Sequence, residues 1–521
     1  MQEEYSTNWR GYQLILPLCL EEIIPQDDSV RLLSQLLDEL DYKELVKAYS
    51  PLGRKAAVDP VNLFKVIVYG YHCGIYSSRA IEQSCRRDIN FRWLLEGKRG
   101  PGKSTIATFR TGKLEAVVEG LFYQLVERLY ARDEIAFEHL FVDGTKIEAN
   151  ANRYSFVWKK SVDKQQKKQS EKERVLLATL NERYERLFSS VETAAEQLVE
   201  EANDIAFVSG KGKHKTQLQR DVEAIDALLE QKTRYAGYQA TFGGRNSFSK
   251  TDTDATFMRL KEDHMKNGQL KPAYNVQVGV EGEYIVGLDI SDQRSDTLTL
   301  IPLLQRMESR SGKRHGTIVA DAGYESEENY TYLAGMGQEA YIKPINYEQS
   351  QKRKFRSNPF LRENMPYDPD ADCYTCPNGR HLNAVYTHVR KSKSGFESLV
   401  TAYQCEDCSG CTHRASCFHS KYPDANRTID VAKTFLQQRT QTYEKIISPK
   451  GKLLRMNRSI QAEGVFAVIK QDYSFRRFFT RGKENVRTEM LLMAMGYNIF
   501  RLHCKIQSNR TKQLLFTKMI S

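Results

Sequence analysis

The sequence predicts an α/β protein: a mixed sheet carrying helices, preceded by an all-helical domain and broken by two insertions. Three observations lead there. Up to about residue 136 the apolar residues recur at helical spacing, with no strand-like alternation. From His139 short β-rich runs, a hairpin and then strand–helix–strand alternation imply a mixed sheet with helices packed on it. A Lys/Glu/Gln-rich helical stretch at about 159–235 and a Cys-rich segment at 351–429 interrupt that alternation.

Taken in order, "DPVNLFKVIVYGYHCG" places Asp59 at an N-cap, Pro60 at the first helical position and Gly74 as the stop. Short helices follow from about Ser78, Asn90 and Ser104, and "KLEAVVEGLFYQLVERLYAR" supplies a longer amphipathic one. Residues 1–136 thus form a helical domain whose Arg86, Arg87, Arg92, Lys98, Arg99, Lys103 and Arg110 suit DNA contact. "HLFVDGTKIEAN" reads as a strand leading into an Asp143-Gly144 turn, and the polar stretch after it as an inserted helical hairpin. "PAYNVQVGVEGEYIVGLDIS" is a hairpin turning at Glu281-Gly282, followed by a helix in "SDTLTLIPLLQRMESR". "GTIVAD" is a buried strand ending at Asp321, with a helix capped by Ser326 after it and a further strand in "EAYIKPI". Helices resume from about 430, so 137–350 and 430–505 make up the sheet domain and 506–521 a basic tail.

Length and composition narrow the class. A chain of 521 residues corresponds to about three to four domains. With 40% hydrophobic and 27% charged residues it is a soluble globular protein, and its net charge of +11 allows a polyanionic partner. The only apolar run near the start, "LILPLCL", holds Pro17 and meets Glu21 and Glu22, so neither a signal peptide nor a membrane span is expected. The expected location is cytoplasmic, at the nucleoid.

"GKRGPGKST" matches a P-loop from Gly97 to Ser104 letter for letter. Phosphate binding there needs a strand entering the loop, and "NFRWLLE" reads as a helical turn. It is read as a basic linker, with Ser104 or Thr105 capping the next helix.

Three carboxylates stand out. Asp143 ends an apolar strand segment. Asp321 ends another, with the capping role already filled by Ser326. Strand ends of this kind are where ligands gather in open α/β sheets. Glu463, in "RSIQAEGVFAVIKQD", shares a helix face with Ser459, Ile460, Phe466 and Ala467, so it is expected to point with an apolar stripe. Two strand-end aspartates and one helix glutamate form a set suited to Mg²⁺, a hard ion that prefers carboxylate oxygen.

These stretches, with "STIATFR", "SKTDTDATFM", "AYNVQVGV", "VADAGYESEEN" and "FFTRGKENVRTEMLLMAMGYNIFRL", resemble bacterial insertion-sequence transposases of the DDE type from about residue 10 to 505. The resemblance implies a ribonuclease H-like core. It makes Asp143, Asp321 and Glu463 the catalytic triad, holding two Mg²⁺ ions for which Mn²⁺ can substitute. Glu463 and Lys470 fit the E-x6-K part of the family's Y-x2-R-x3-E-x6-K signature. The Arg position falls on Ser459 and the Tyr position on Met456, with Arg458 one place early. Lys470, Arg458, Arg476, Arg477 and Arg481 are the cations expected to meet DNA. The implied partners are double-stranded terminal inverted repeats and target DNA, and a homodimer on paired ends is compatible with them. The implied activity is strand cleavage followed by strand transfer. The altered signature keeps a second class open, a transposase-derived DNA-binding protein that does not cleave. A junction resolvase is disfavoured by the long helical N-terminal domain.

Ten cysteines complete the inventory. Cys19, Cys73, Cys85 and Cys504 read as inert core residues. Cys373-x2-Cys376 and Cys405-x2-Cys408-x2-Cys411-x5-Cys417 have zinc-knuckle spacing. Cys373, Cys376, Cys405 and Cys408 are the simplest quartet. Cys376, Cys405 and Cys408 with Cys411 or Cys417 are a close rival for the structural zinc.

Overall fold

A computed structural model describes residues 19–49, 56, 58–202, 207–208, 214–261, 268–422 and 424–517. The chain divides into two units. One comprises residues 1–135 with 490–513, the other 136–489 with 514–521.

The first unit is helical throughout its described residues. Its centre is the Pro60–His72 helix, buried from Asn62 to His72. Asp59 caps it by accepting from the Val61 and Asn62 amides, and Gly74 follows with a φ of 73°. The segment Met490–Gln513 belongs to this unit rather than to the sheet, whereas the sequence grouped it with the sheet domain. At Gly496 a Cβ would come within 2.8 Å of the His72 amide nitrogen, and the Gly496 carbonyl meets His72 Nδ1 at 3.2 Å. Only a glycine lets the two backbones approach so closely. The Gly97–Ser104 segment joins two short helices, Ile89–Leu94 and Lys103–Thr108, and no strand enters it. The second of these opens at Lys103 with Gly102 at the cap, two residues before the earlier of the Ser/Thr caps expected. Of the four scattered cysteines only Cys85 is buried; Cys19 and Cys73 are exposed and Cys504 half-buried. Cys73 lies just past the buried run, at the C-cap of its helix.

The second unit is built on a six-stranded mixed sheet. In chain order the unit's strands are β1 (His139–Glu148), β2 (Phe156–Trp158), β3 (Ser247–Ser249), β4 (Thr256–Arg259), β5 (Leu270–Glu281), β6 (Tyr284–Ser291), β7 (Thr317–Ala320) and β8 (Glu339–Ile342). The main sheet runs β4-β5-β1-β7-β8, with β6 also paired to β5, while β2 and β3 pair separately. β1 is central, antiparallel to β5 and parallel to β7. β5 and β6 are buried along nearly their whole length, polar Asn275, Gln277, Glu281 and Asp289 included. They turn at Gly282-Glu283, one residue later than the sequence suggests, with φ of 58° and 72°. Positive φ at both central residues matches the twist of a two-residue hairpin.

Both insertions are more structured than the sequence indicated. The first is three helices (Lys159–Tyr184, Val191–Ala202, Gln217–Phe242) around a core of its own that includes Leu180, Val191, Leu198 and Ile225, rather than a helical hairpin. The Cys-rich segment is an antiparallel sheet of β9 (Tyr367–Asp368), β10 (Cys373–Thr375), β11 (His381–Lys391), β12 (Glu397–Cys405) and β13 (Thr428–Val431). Residues 514–517 are no free tail: the Phe516 amide donates to Asn457 Oδ1 at 2.8 Å and Gln461 donates to the Leu514 carbonyl. Among the described residues no helix is long and apolar enough to cross a membrane.

Candidate active-site cleft

Asp143 and Asp321 are brought together by strand register. β1 and β7 run parallel with Phe141 opposite Val319, so two residues further on Asp143 and Asp321 occupy equivalent places. Asp143 does not enter a turn, as its Asp-Gly pair suggested: β1 continues to Glu148, and Gly144 pairs with Gln277 of β5. The glycine has another purpose. A Cβ at Gly144 would overlap the Gln277 side-chain amide and come within 3.0 Å of the Tyr324 hydroxyl. Asp321 closes a tight turn at the end of β7, where its Oδ1 accepts the Gly323 amide at 2.9 Å.

Glu463 comes from a helical run over 449–472 that is not regular. It contains two π-turns, Ser459–Glu463 and Val468–Asp472. Its core-facing residues are Leu454, Asn457, Gln461, Ala462, Val465 and Ile469. Glu463, Phe466, Ala467 and Lys470 do share a face, but that face lines an open cleft, with Phe466 alone of the four buried. The Glu463 side chain is 53% exposed, which corrects the expectation of a core-facing carboxylate.

The cleft has a volume of about 440 Å³ and its walls include Asp143, Asp321, Glu463, Arg458, Lys470 and Arg476. Three carboxylates from separate segments and three of the expected cations therefore meet in one place. Arg477 and Arg481 are not in its walls; they donate to the carbonyls of Ala151 and Asn150. Lys470 Nζ reaches the Lys146 carbonyl at 3.2 Å. Thr145, Lys261 and Gln471, which the sequence did not single out, also line the cleft.

Arg458 explains the altered signature. It stands five residues before Glu463, one more than the family spacing, and the intervening residues form a π-turn. An i→i+5 turn accommodates one extra residue, so Arg458 returns over Glu463. Its Nη2 lies 2.8 Å from Glu463 Oε1 and its Nη1 3.7 Å from Asp143 Oδ1. The guanidinium thus bridges two of the three carboxylates. Burial raises the Asp143 pKa to about 6, and the Arg458 charge and the Gly144 amide only partly offset this.

A polar network behind β1 was also missed. Tyr324 donates to Gln277 Oε1, Gln277 donates to Asn275 Oδ1 and Asp296 Oδ1, and Asn275 donates to Asp296 Oδ1 at 2.7 Å. Gln277 is the side chain against Gly144, so the network fixes the strand beside Asp143. Its only sequence signal is two amides alternating within an otherwise apolar strand. Tyr274, Asp252 and Asp254 have a structural task instead: Tyr274 donates to Asp252, which with Asp254 accepts the Gly482 and Lys483 amides.

In the Cys-rich sheet, Cys376, Cys405, Cys408, Cys411 and Cys417 line one small pocket with His413 and Arg427. Cys373 is outside it, 3.6 Å from His381 Nδ1. This grouping matches the rival quartet rather than the simplest one. Arg427 donates to Cys417 Sγ at 2.8 Å and its amide to Cys408 Sγ. Among the described residues, no group of three His, Cys, Asp or Glu side chains is arranged to hold a metal ion as it stands.

Two family models match the chain. Residues 18–112 match one described as Transposase domain (DUF772), and residues 375–503 match one described as Transposase DDE domain. The second includes Glu463 and Lys470 and stops short of both aspartates on the N-terminal side. No curated protein matches the chain. A transposase match towards either end of the chain, with three acidic residues meeting in one cleft between β1, β7 and the 449–472 helix, supports membership of the insertion-sequence transposases of the DDE type.

Proposed function

We propose that this chain cleaves DNA at the ends of an insertion sequence and joins the freed 3′ ends to target DNA. The observation that carries the reading is the convergence of Asp143, Asp321 and Glu463 in one open, cation-rimmed cleft. Their oxygens, from three elements around one opening, are the donor type a hard divalent ion takes, and the ion would have to draw them closer than they stand. They would hold two Mg²⁺ ions, which supply activation of the attacking oxygen and stabilisation of the leaving one in an in-line displacement. The sheet, with antiparallel β6, β5 and β1 followed by parallel β7 and β8, supports a ribonuclease H-like core.

The chain's own residues do the rest. β1 and β7 hold the two aspartates level, and Gly144 keeps the Gln277 network close against them. Lys470, one helical face along from Glu463, meets a phosphate of the bound strand, and Arg476 extends that contact at the cleft rim. Arg458 neutralises Asp143 and Glu463 until they take up another cation. The helices of the 1–135 unit bind the terminal inverted repeats as duplex DNA, and two copies on paired ends bring the cuts together.

The Arg458 bridge also favours a second reading, a DNA-binding transposase derivative that no longer cleaves, because it keeps two of three carboxylates engaged. One assay separates the two. Wild-type protein should nick end-containing DNA in Mg²⁺, while Asp143→Asn, Asp321→Asn and Glu463→Gln should each lose cleavage and keep end binding. Glu200→Gln, an exposed control on the helical insertion and outside both pockets, should behave as wild type. If wild type binds ends and never nicks them, the second reading stands; cleavage by one of the three variants removes that residue from the triad.

The Cys-rich sheet is proposed to hold one structural zinc. Five thiols around one pocket support this, and thiolates are its preferred ligands. The metal would have to draw them closer than they stand, with Arg427 balancing their charge.

A further inference from the structure

We infer that the surface of β2 and the pocket beside it bind single-stranded DNA next to the cleavage cleft, a reading that rests on the DNA-cutting function proposed above. β2 is short and its residues alternate. Val157 turns inward to a core with Val162, Phe242 and Phe248, which leaves Phe156 and Trp158 on the outer face. Tyr154, just before the strand, is 79% exposed and Phe156 48%. Two aromatic rings on the outer face of β2, with a third exposed in the turn that leads into it, are costly unless something covers them.

What covers them is indicated by the groups around them. Phe156 and Trp158 are braced from below by buried Phe257, at ring-centroid distances of 6.0 Å and 5.9 Å, so their planes are held rather than free to collapse. The Arg294 guanidinium stands 5.9 Å from the Trp158 ring centroid. Arg294 also lines a pocket of about 300 Å³ with Arg245, Asn246, Gln293, Ser295 and Lys393. Of its cations Arg245 is engaged by the Thr253 and Asp254 carbonyls and by Asp292, the one carboxylate in the lining, at 3.5 Å, so Arg294 and Lys393 are the ones that serve a ligand. Braced aromatics beside a cationic, donor-rich groove match unpaired bases on a phosphate backbone. Duplex DNA, with its bases stacked on each other, would leave the rings uncovered.

The position is informative too. Thr297, in the pocket wall, donates its hydroxyl to the Gly323 carbonyl at 3.1 Å, two residues from Asp321. The pocket therefore adjoins the Asp321 side of the cleft. A strand separated at the cut would have a place to lie there without re-pairing.

The test is binding of fluorescein-labelled oligo-dT of about 20 nucleotides to the full-length protein in chelator, followed by anisotropy. Oligo-dT is free of element sequence and of self-pairing, so the readout does not depend on cleavage or on end recognition. Tyr154→Ala, whose side chain is almost wholly exposed, and Arg294→Ala should each weaken oligo-dT binding about tenfold, and Tyr154→Phe should restore it, since stacking needs only the ring. Binding of a duplex of equal length should change less than twofold. Equal losses for duplex and oligo-dT, or no loss with either variant, would overturn the proposal. So would a change in oligomeric state with oligo-dT binding intact, which would make the strip a contact between copies. A protein that nicks its ends normally yet fails these tests would lose only the strip; one that passes them and never nicks would lose only the cleavage reading.

Discussion

Asp143→Asn should make the metal-free protein more stable at neutral pH, because the wild-type carboxylate is ionised at a buried site. Its pKa rises from 3.8 to about 6 on folding, chiefly through burial. At about 1.36 kcal/mol per pH unit, that difference corresponds to about 3 kcal/mol. The sign follows from proton uptake. The folded state holds this proton more tightly than the unfolded chain, so the stabilisation is complete below about pH 4. It is lost as pH rises through about 6, above which folding carries the full cost of the buried charge. Asparagine carries no such cost at any pH. Arg458 still has Glu463 at 2.8 Å in the variant, so no cation is stranded. For a unit of this size the gain should appear as a rise in Tm of roughly 4–6 °C at pH 8 in chelator. At pH 4 the two proteins should melt within about 1 °C of each other. Scanning fluorimetry or calorimetry on full-length protein across pH 4–8 measures both. Adding Mg²⁺ should narrow the gap at pH 8, since only wild type retains all three acidic groups. A variant no more stable than wild type at pH 8, or equally more stable at both ends of the range, would refute the reasoning.

Gly144→Ala should destabilise the sheet unit by about 1–3 kcal/mol, because the new methyl overlaps the Gln277 amide; an unchanged melting curve would show that the network yields freely. A fragment ending near residue 136 should fold poorly, since Met490–Gln513 belongs to the same unit, and linking residues 490–513 back to it should restore cooperative melting by circular dichroism. Purified protein should carry about one zinc. Cys376→Ser or Cys408→Ser should lower that content and the solubility together, whereas Cys373→Ser, outside the thiol pocket, should not; metal-free protein with normal folding would end the zinc reading.

Much of this protein was legible as local pattern. Helix signals that depend on neighbouring residues, such as Asp59-Pro60 at one end and Gly74 at the other, recur in the structure because capping is settled within one turn. The class of the chain was legible through motif order, and the three acidic residues that the same motifs pick out line one cleft, since chemistry restricts residue type more than it restricts surroundings. Register was not legible. Whether Asp-Gly is a turn or the middle of a strand depends on what pairs with it, and β5 pairs through Gly144. The direction of Glu463 was misjudged for a related reason. The face it shares with Phe466 and Ala467 meets an open cleft rather than the core, and the π-turn at Ser459–Glu463 is packed through Asn457 and Gln461 against the chain near Leu514 and Phe516, some fifty residues away. The same turn decided that Arg458, one place out of its signature, reaches Glu463 after all. The grouping of five thiols without Cys373, and of residues 490–513 with the N-terminal helices, likewise followed from contacts between distant segments. The sequence alone determined which residue types could do the chemistry, because composition and short spacing carry that information. Tertiary structure decided which of them meet, because burial and pairing are set by partners far along the chain.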